Sequence, residues 1–242
     1  MKLKYRLLKI FLLIIFLGFL MNFAIRRHNN KNIDEIRIHV ENSDRIRFIT
    51  NDMIKNIIDR SSKNGTKAYK IKDIDIIKTE YNLYSSSFVS QSNVYIDLDG
   101  VVNVTVSQKI PVVRVKTPKE EFYLDKNGAP FPLSSNFSFP CIIATGNIQP
   151  DEYQKLVNFC QLISVDNLFK NHIIAIEKDK RKTYNLLLNI ESVYIEYGEL
   201  ENNHQKLTNL KEFYKQYLDY VGFDAYKKIS LKYDNQIVAT KK

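Results

Sequence analysis

The residues able to do chemistry are few and scattered in this chain. Its four histidines, His28, His39, His172 and His204, share no metal-ligand spacing, and the strings H-E-x-x-H, G-x-S-x-G and the P-loop do not occur. Asp97-Leu98-Asp99-Gly100 opens like a calcium-binding loop, but its glycine falls too early and no terminal glutamate follows. The segment reads instead as a hairpin turn, with Asp99 and Gly100 in the two positive-φ positions. Asp73 and Asp75 could act as general acid and base only on a shared face. Alternate residues of a helix point apart, so the pair reads as a helix cap and a solvated group. Cys141 and Cys160 are too few for a disulfide framework and lack C-x-x-C spacing, leaving two buried thiols or a single bridge as readings. The N-x-S/T triplets at Asn64, Asn103 and Asn136 carry meaning only in a eukaryotic secretory pathway. No catalytic residue, metal or cofactor is expected, and the functional residues must be sought among those that bind a partner.

Charge narrows the partners. The formal net charge is +9, yet Lys2, Lys4, Arg6, Lys9, Arg26, Arg27 and Lys31 supply most of it from a stretch without an acid. The rest of the chain is close to neutral, which removes the clustered bases that binding to nucleic-acid phosphates requires. Between these bases, Leu7 to Ile25 is apolar apart from Lys9 and Asn22. As a helix it would extend roughly 28 Å, the thickness of the hydrocarbon layer of a bilayer. The lack of an A-x-A site favours an uncleaved anchor over a signal peptide. The bases ahead of the span place residues 1–6 in the cytoplasm and the bulk of the chain outside.

Hydrophobic patterning then divides the remainder into two modules. Ile36, Ile38 and Val40 alternate as a half-buried strand does. Thr50 or Asn51 can cap a helix carrying Met53, Ile54, Ile57 and Ile58 and ending near Asn64-Gly65, and Asp73 a second helix carrying Ile76, Ile77, Glu80, Tyr81 and Tyr84. Val94, Ile96 and Leu98 and then Val102, Val104 and Val106 form the arms of the hairpin. The β-α-α-β-β order over residues 33–115 packs two helices on one face of a three-stranded sheet, an α+β solution. The pattern restarts after Thr117-Pro118, so residues 116–242 read as a second, mostly antiparallel β domain with two helices.

In that second module Phe122-Tyr123-Leu124 is a strand and Asp125-Lys126-Asn127-Gly128 a turn. Ile142-Ile143 is another strand, and Asp151 caps a helix with Tyr153, Leu156, Val157, Cys160 and Ile163 on its apolar face. His172–Glu177 and Tyr184–Ile190 flank the charged loop Lys178 to Lys182 as a hairpin, and Ser192–Tyr197 adds a strand. Leu207, Leu210, Phe213, Tyr214, Tyr217 and Leu218 recur at helical spacing; Tyr214, Tyr217 and Tyr220 suit core packing or partner binding, and the face shared with Leu210 and Leu218 favours the core for Tyr214 and Tyr217. The chain closes on a strand from Lys228 to Ala239.

The first module's element order resembles a POTRA domain, and the whole layout resembles the FtsQ/DivIB family of bacterial cell-division proteins. Gln108-Lys109-Ile110-Pro111-Val112-Val113 is similar to the family's E-R-x-P-x-A segment, with glutamine for the acid and lysine for the arginine, and Phe122 to Gly128 to its Y-x-D-x-x-G turn. Gly198 followed by Lys206-Leu207-Thr208-Asn209-Leu210 is similar to its G…K-L-x-x-L helix, and Ile229 to Val238 to its closing I-x-L-R-Y-x-N-Q strand. The resemblance implies a scaffold without catalysis. It would sit in the inner membrane at the septum, bind FtsB/FtsL-type partners outside it and connect early and late division proteins. Its partner-binding residues would be Leu231, Lys232, Tyr233, Asp234, Asn235, Gln236 and Ile237, the backbone from Lys232 to Ile237 forming the ladder. By itself the same segment also suits an ordinary edge strand defended by its charges. A POTRA-bearing subunit of a protein-transport machine and a tethered envelope enzyme stay open as other readings.

Overall fold

The computed structural model describes residues 2–62, 70–190, 193–218, 222, 225–233 and 236–242, which fall into two compact units that divide between Gln108 and Lys109. The first opens with helix α1 (Lys2–Asn29), whose stretch Tyr5–Asn29 is long and apolar enough to cross a membrane and has none of its surface buried. After it come β1 (Glu35–Val40), α2 (Asn51–Ser61), a 3₁₀ turn at Ile71–Asp73, α3 (Ile76–Tyr84), β2 (Val89–Ile96) and β3 (Val101–Gln108). Strand β3 is central, parallel to β1 and antiparallel to β2. The alternation of β3 turns Val102, Val104 and Val106 onto Ile54, Ile58 and Leu83, and Ile36, Ile38 and Val40 of β1 lie level with those valines. Each such side chain contributes about 1.5–3 kcal/mol by leaving water.

Local hydrogen bonds decide where these elements begin. The Thr50 hydroxyl accepts the Met53 N–H at 3.3 Å and starts α2. The start of α3 departs from expectation. Asp75 is its cap, accepting the Lys78 N–H at 3.0 Å, while Asp73 is buried two residues earlier and accepts the Lys70 N–H at 3.1 Å to close the 3₁₀ turn. The expected α2 end at Asn64-Gly65 lies outside the described residues. Gln108, the last residue of β3, is buried. Its carbonyl oxygen accepts the N–H groups of Phe48 and Ile49 (2.9 and 3.1 Å) and its amide donates to the Ile46 carbonyl (2.7 Å), which ties the strand to the loop ahead of α2.

The second unit contains β4 (Val113–Lys116), β5 (Glu121–Leu124), β6 (Pro130–Pro132), β7 (Ile142–Gly146), α4 (Tyr153–Val165), α5 (Phe169–His172), β8 (Ile173–Lys178), β9 (Tyr184–Leu188), β10 (Tyr194–Gly198), α6 (Asn203–Phe213), β11 (Tyr226–Ser230) and β12 (Val238–Lys241). Among the described residues these strands form one nine-stranded sheet in the order β12-β11-β10-β9-β8-β7-β4-β5-β6. The boundary expected at Thr117-Pro118 therefore moves ahead of β4, because Val113–Lys116 pairs with β5 and β7. One face of the sheet carries Val115, Ala144, Ile176, Leu186, Ile195 and Ile229 against α4 and α6. The other face is open and bears an in-register row of Ile143, Ala175, Leu187 and Tyr194.

Three further expectations are corrected here. Asp151 does not cap α4; Glu152 closes a preceding 3₁₀ turn by accepting the Gln149 N–H at 2.9 Å. Lys178 ends β8 instead of opening the charged loop, with its ammonium donating to Glu152 at 2.5 Å and to the Asn147 carbonyl at 3.1 Å. Burial alone would raise the Glu152 carboxyl, but hydrogen bonds from Lys178, the Gln149 N–H and the Tyr184 hydroxyl outweigh it and hold the group below the usual carboxylate range. Tyr217 is 51% exposed, while Tyr214 is buried. The helix widens into a π turn over Tyr214–Leu218, which rotates Tyr217 off the core face and leaves it stacked on Phe213. Tyr220 and Ser192 lie outside the described residues.

The hairpins repeat one device. Asp97, Asp125 and Asp179 each use a carboxylate oxygen to accept the N–H groups two and four residues on, at 2.8–3.0 Å. The fourth residue of each loop, Gly100, Gly128 or Lys182, has positive φ. This is a three-residue loop closed by a bulge, so Asp99 is not left-handed and the expected two-residue turn is replaced. The aspartate makes the difference by satisfying the loop N–H groups in the α-region conformation. Lys182 holds φ 63° without glycine's freedom, at a cost of about 1–2 kcal/mol. Lys182→Gly is expected to raise unfolding stability by about 0.5–1 kcal/mol once glycine's larger unfolded-state entropy is deducted. Urea titration checks this, and an unchanged midpoint would contradict it.

Candidate partner-binding site

The closing segment is a hairpin and not one strand. Strand β11 enters beside β10 as a parallel neighbour, with Ile195 opposite Ile229 and Glu196 opposite Ser230. One residue on, the Leu231 N–H donates to the Glu196 carbonyl at 2.8 Å and the Leu231 side chain is buried in the core. The strand ends there. Glu196 also grips this end through its carboxylate, which accepts from the Ser230 hydroxyl at 2.8 Å and from Lys228 at 3.2 Å. The Ser230 hydrogen bond, together with the Lys228 ammonium, overcomes partial burial and holds the Glu196 carboxyl below its ordinary range.

Gly198 ends β10 with φ +83°, a backbone conformation that favours glycine, and it lies in ordinary contact with the Lys232 backbone. Behind it, Lys206 donates to the carbonyls of Glu199 (2.8 Å) and Tyr197 (3.3 Å) and lies 4.9 Å from the centre of the Tyr197 ring, while Leu207 and Leu210 are buried. The G…K-L-x-x-L segment is thus the brace that seats α6 against the end of β10. Its spacing serves packing and capping together.

Of the expected partner-binding residues, Leu231 is core and Lys232 is exposed. Tyr233 is 58% exposed, with its carbonyl accepting the Gln236 N–H at 3.3 Å in a tight loop. Gln236 is exposed and Ile237 half-buried, while Asp234 and Asn235 lie outside the described residues. The expected ladder from Lys232 to Ile237 is therefore corrected, because the described residues Lys232, Tyr233, Gln236 and Ile237 belong to no strand. This segment borders a groove of about 830 Å³ of mixed polar and apolar lining, to which Tyr233, Gln236, Asn158, His204, Asn209, Leu162 and Leu231 contribute. Beyond Asn209 a second depression holds Phe213, Tyr217 and Ile237, which extends the trough along α6.

The backbone edge belongs to β12, which pairs with β11 on one side and ends the sheet on the other. Val238, Ala239, Thr240 and Lys241 were missed by the sequence reading. The available signal was the pair Asp234-Asn235, two turn-forming residues inside an otherwise strand-like segment. β11, which is paired on both faces of its ladder, cannot accept a partner strand. β12 is short, carries Val238 at 44% exposure, and has only Lys241 as a charged side chain to defend it. In the first unit, Ile77, Tyr81 and Tyr84 form a second unpartnered surface at helical spacing on the outer side of α3.

The thiols take no part in this site. Both are free, and burial pushes Cys141 up to about 11 and raises Cys160 as well, which keeps them protonated near neutral pH.

The chain thus joins an apolar helix of membrane-crossing length, a small α+β module and a mixed sheet. Residues 32–107 match the family model described as POTRA-like domain, and residues 110–240 that described as FtsQ/DivIB, C-terminal related. The chain belongs to the FtsQ/DivIB family and is by that membership a cell-division protein. No curated protein matches it.

Because the Glu196 carboxyl is depressed on folding, its contribution is present above the unfolded carboxylate value, about 4.3, and is lost as pH falls through the lower folded value. The urea midpoint should be level near neutral pH and drop in acid, with a shallower drop in Glu196→Gln. Equal acid sensitivity of the two proteins would contradict the grip assigned to Glu196.

Proposed function

We propose that this chain is a non-enzymatic division scaffold whose β12 edge receives an extended segment from an FtsB-like partner, held as part of an FtsB/FtsL-type pair. The carrying observation is the unpaired outer side of Val238–Lys241, set beside the Tyr233–Gln236 loop in a chain of this family. An added strand draws affinity from main-chain hydrogen bonds, and neighbouring side chains supply specificity. Tyr233, Lys232 and Gln236 frame the entry to the edge, and the trough beside α6 accommodates the partner's continuing chain.

The same proposal orients the protein. Helix α1 crosses the inner membrane with residues 1–6 in the cytoplasm, supported by the bases that precede the apolar run. Both modules then lie outside the membrane at the septum, where one chain can link early to late division proteins. The Ile77, Tyr81 and Tyr84 surface offers a further protein contact on the POTRA-like module.

Adjacent residues of an edge strand send their N–H groups to opposite sides. Of Ala239→Pro and Thr240→Pro, one therefore removes an outward donor, and the other loosens β12 from β11. Co-purification of the full-length protein with an FtsB/FtsL-type pair is expected to weaken about tenfold or more in both, and also in Tyr233→Ala. Retention by all three variants would overturn the site. Failure of the wild-type chain to capture the pair would overturn the function.

A further inference from the structure

The three aspartate-closed loops differ at the position after the aspartate. Lys126 and Lys180 fill it in the second unit, whereas the first unit has Leu98, which is 90% exposed. Turn geometry does not demand leucine there, because the same hydrogen bonds close all three loops. What distinguishes the Leu98 loop is its neighbour, the segment leaving α1.

That segment is docked. The Lys31 ammonium donates to the Asp99 carbonyl at 2.5 Å and reaches the Leu98 carbonyl at 3.5 Å, while the Lys31 carbonyl accepts the Ile71 N–H at 3.1 Å. Asn32 forms a bridge with Lys70, and Gly100 packs so closely that an added Cβ would sit 3.2 Å from the Asn32 carbonyl oxygen. The hairpin tip is thus held to the chain two residues beyond the end of α1 at Asn29.

Depth follows from the helix. The apolar run stops at Ile25, and the four residues from there to Asn29 rise about 6 Å. One headgroup layer is roughly 5–8 Å thick. Lys31 therefore leaves the membrane at the outer limit of that layer, with Arg26 and Arg27 within it and Lys70 and Lys72 close to Lys31.

We propose that the Leu98 tip inserts into the bilayer interface beside α1, and that Arg26, Arg27, Lys31, Lys70 and Lys72 meet lipid phosphates around it. This second foothold fixes the POTRA-like module against the membrane, so that α1 is not a free tether. The inference rests on α1 spanning the bilayer.

The chain contains no tryptophan, so single substitutions report without background. Leu98→Trp and Phe16→Trp would each be made in the full-length protein and reconstituted into phosphatidylethanolamine and phosphatidylglycerol vesicles. A fraction of the lipid would be brominated near either the carbonyl or the methyl end of its chains. Leu98→Trp should show blue-shifted emission and be quenched by the shallow bromines but not the deep ones, whereas Phe16→Trp is quenched by the deep ones. Water-like, unquenched Leu98→Trp emission beside a quenched Phe16→Trp would overturn the proposal and leave the anchor standing. A blue shift without lipid quenching would place Leu98 against protein and also overturn it. An unquenched Phe16→Trp would remove the anchor and the proposal together.

Discussion

The hydrogen bond from the Leu231 N–H to the Glu196 carbonyl is the last connection between the parallel strands β10 and β11, and the end of the sheet depends on it. β11 ends with this rung after Ser230, Leu231 enters the core, and the chain returns antiparallel as β12. The carboxylate of the same glutamate holds Ser230 and Lys228, so one residue fixes the strand end through both main chain and side chain. Beside it Gly198 ends β10 in a positive-φ conformation. The hairpin then delivers β12 as a new edge, because a sheet extended by one antiparallel strand always leaves that strand's far side unpaired. Loop, groove and edge are consequences of one termination.

The fold was legible wherever local chemistry decides it. Alternating valines in β3, the Thr50 cap and the apolar face of α4 needed only the neighbouring sequence to be recognised. Errors arose where two local solutions have similar energies. Asp73 and Asp75 can both cap, and burial of Asp73 in a preceding 3₁₀ turn makes the choice. Val113 and Val115 suit either sheet, and their assignment is decided by pairing with Ile142 and Ala144, remote in sequence. Asp99-Gly100 has the composition of a tight turn, yet Asp97 captures the loop N–H groups and selects a longer one.

The candidate site was legible in place but not in form. Of the residues the resemblance singled out, the described ones, 231–233, 236 and 237, lie between β11 and β12 at one end of the sheet. Their conformation did not follow, because the alternation from Lys228 to Ala239 is equally consistent with one strand and with two. The chain leaves the β10 ladder after its rung to Glu196 and returns as β12, so the edge backbone is Val238–Lys241 and not Lys232–Ile237. Tyr217 illustrates the same limit, since a π turn shifts its face without any change in the spacing of apolar residues.

The proposed function requires β12 to gain a partner strand along its outer side. Amide hydrogen exchange in the full-length chain, alone and bound to an FtsB/FtsL-type pair, tests this residue by residue. Outward amides among Val238–Lys241 should be slowed in the complex, while the β11 amides, already paired on both sides, keep their rates. A complex that forms while every amide of β12 exchanges as it does in the free chain would contradict the claim.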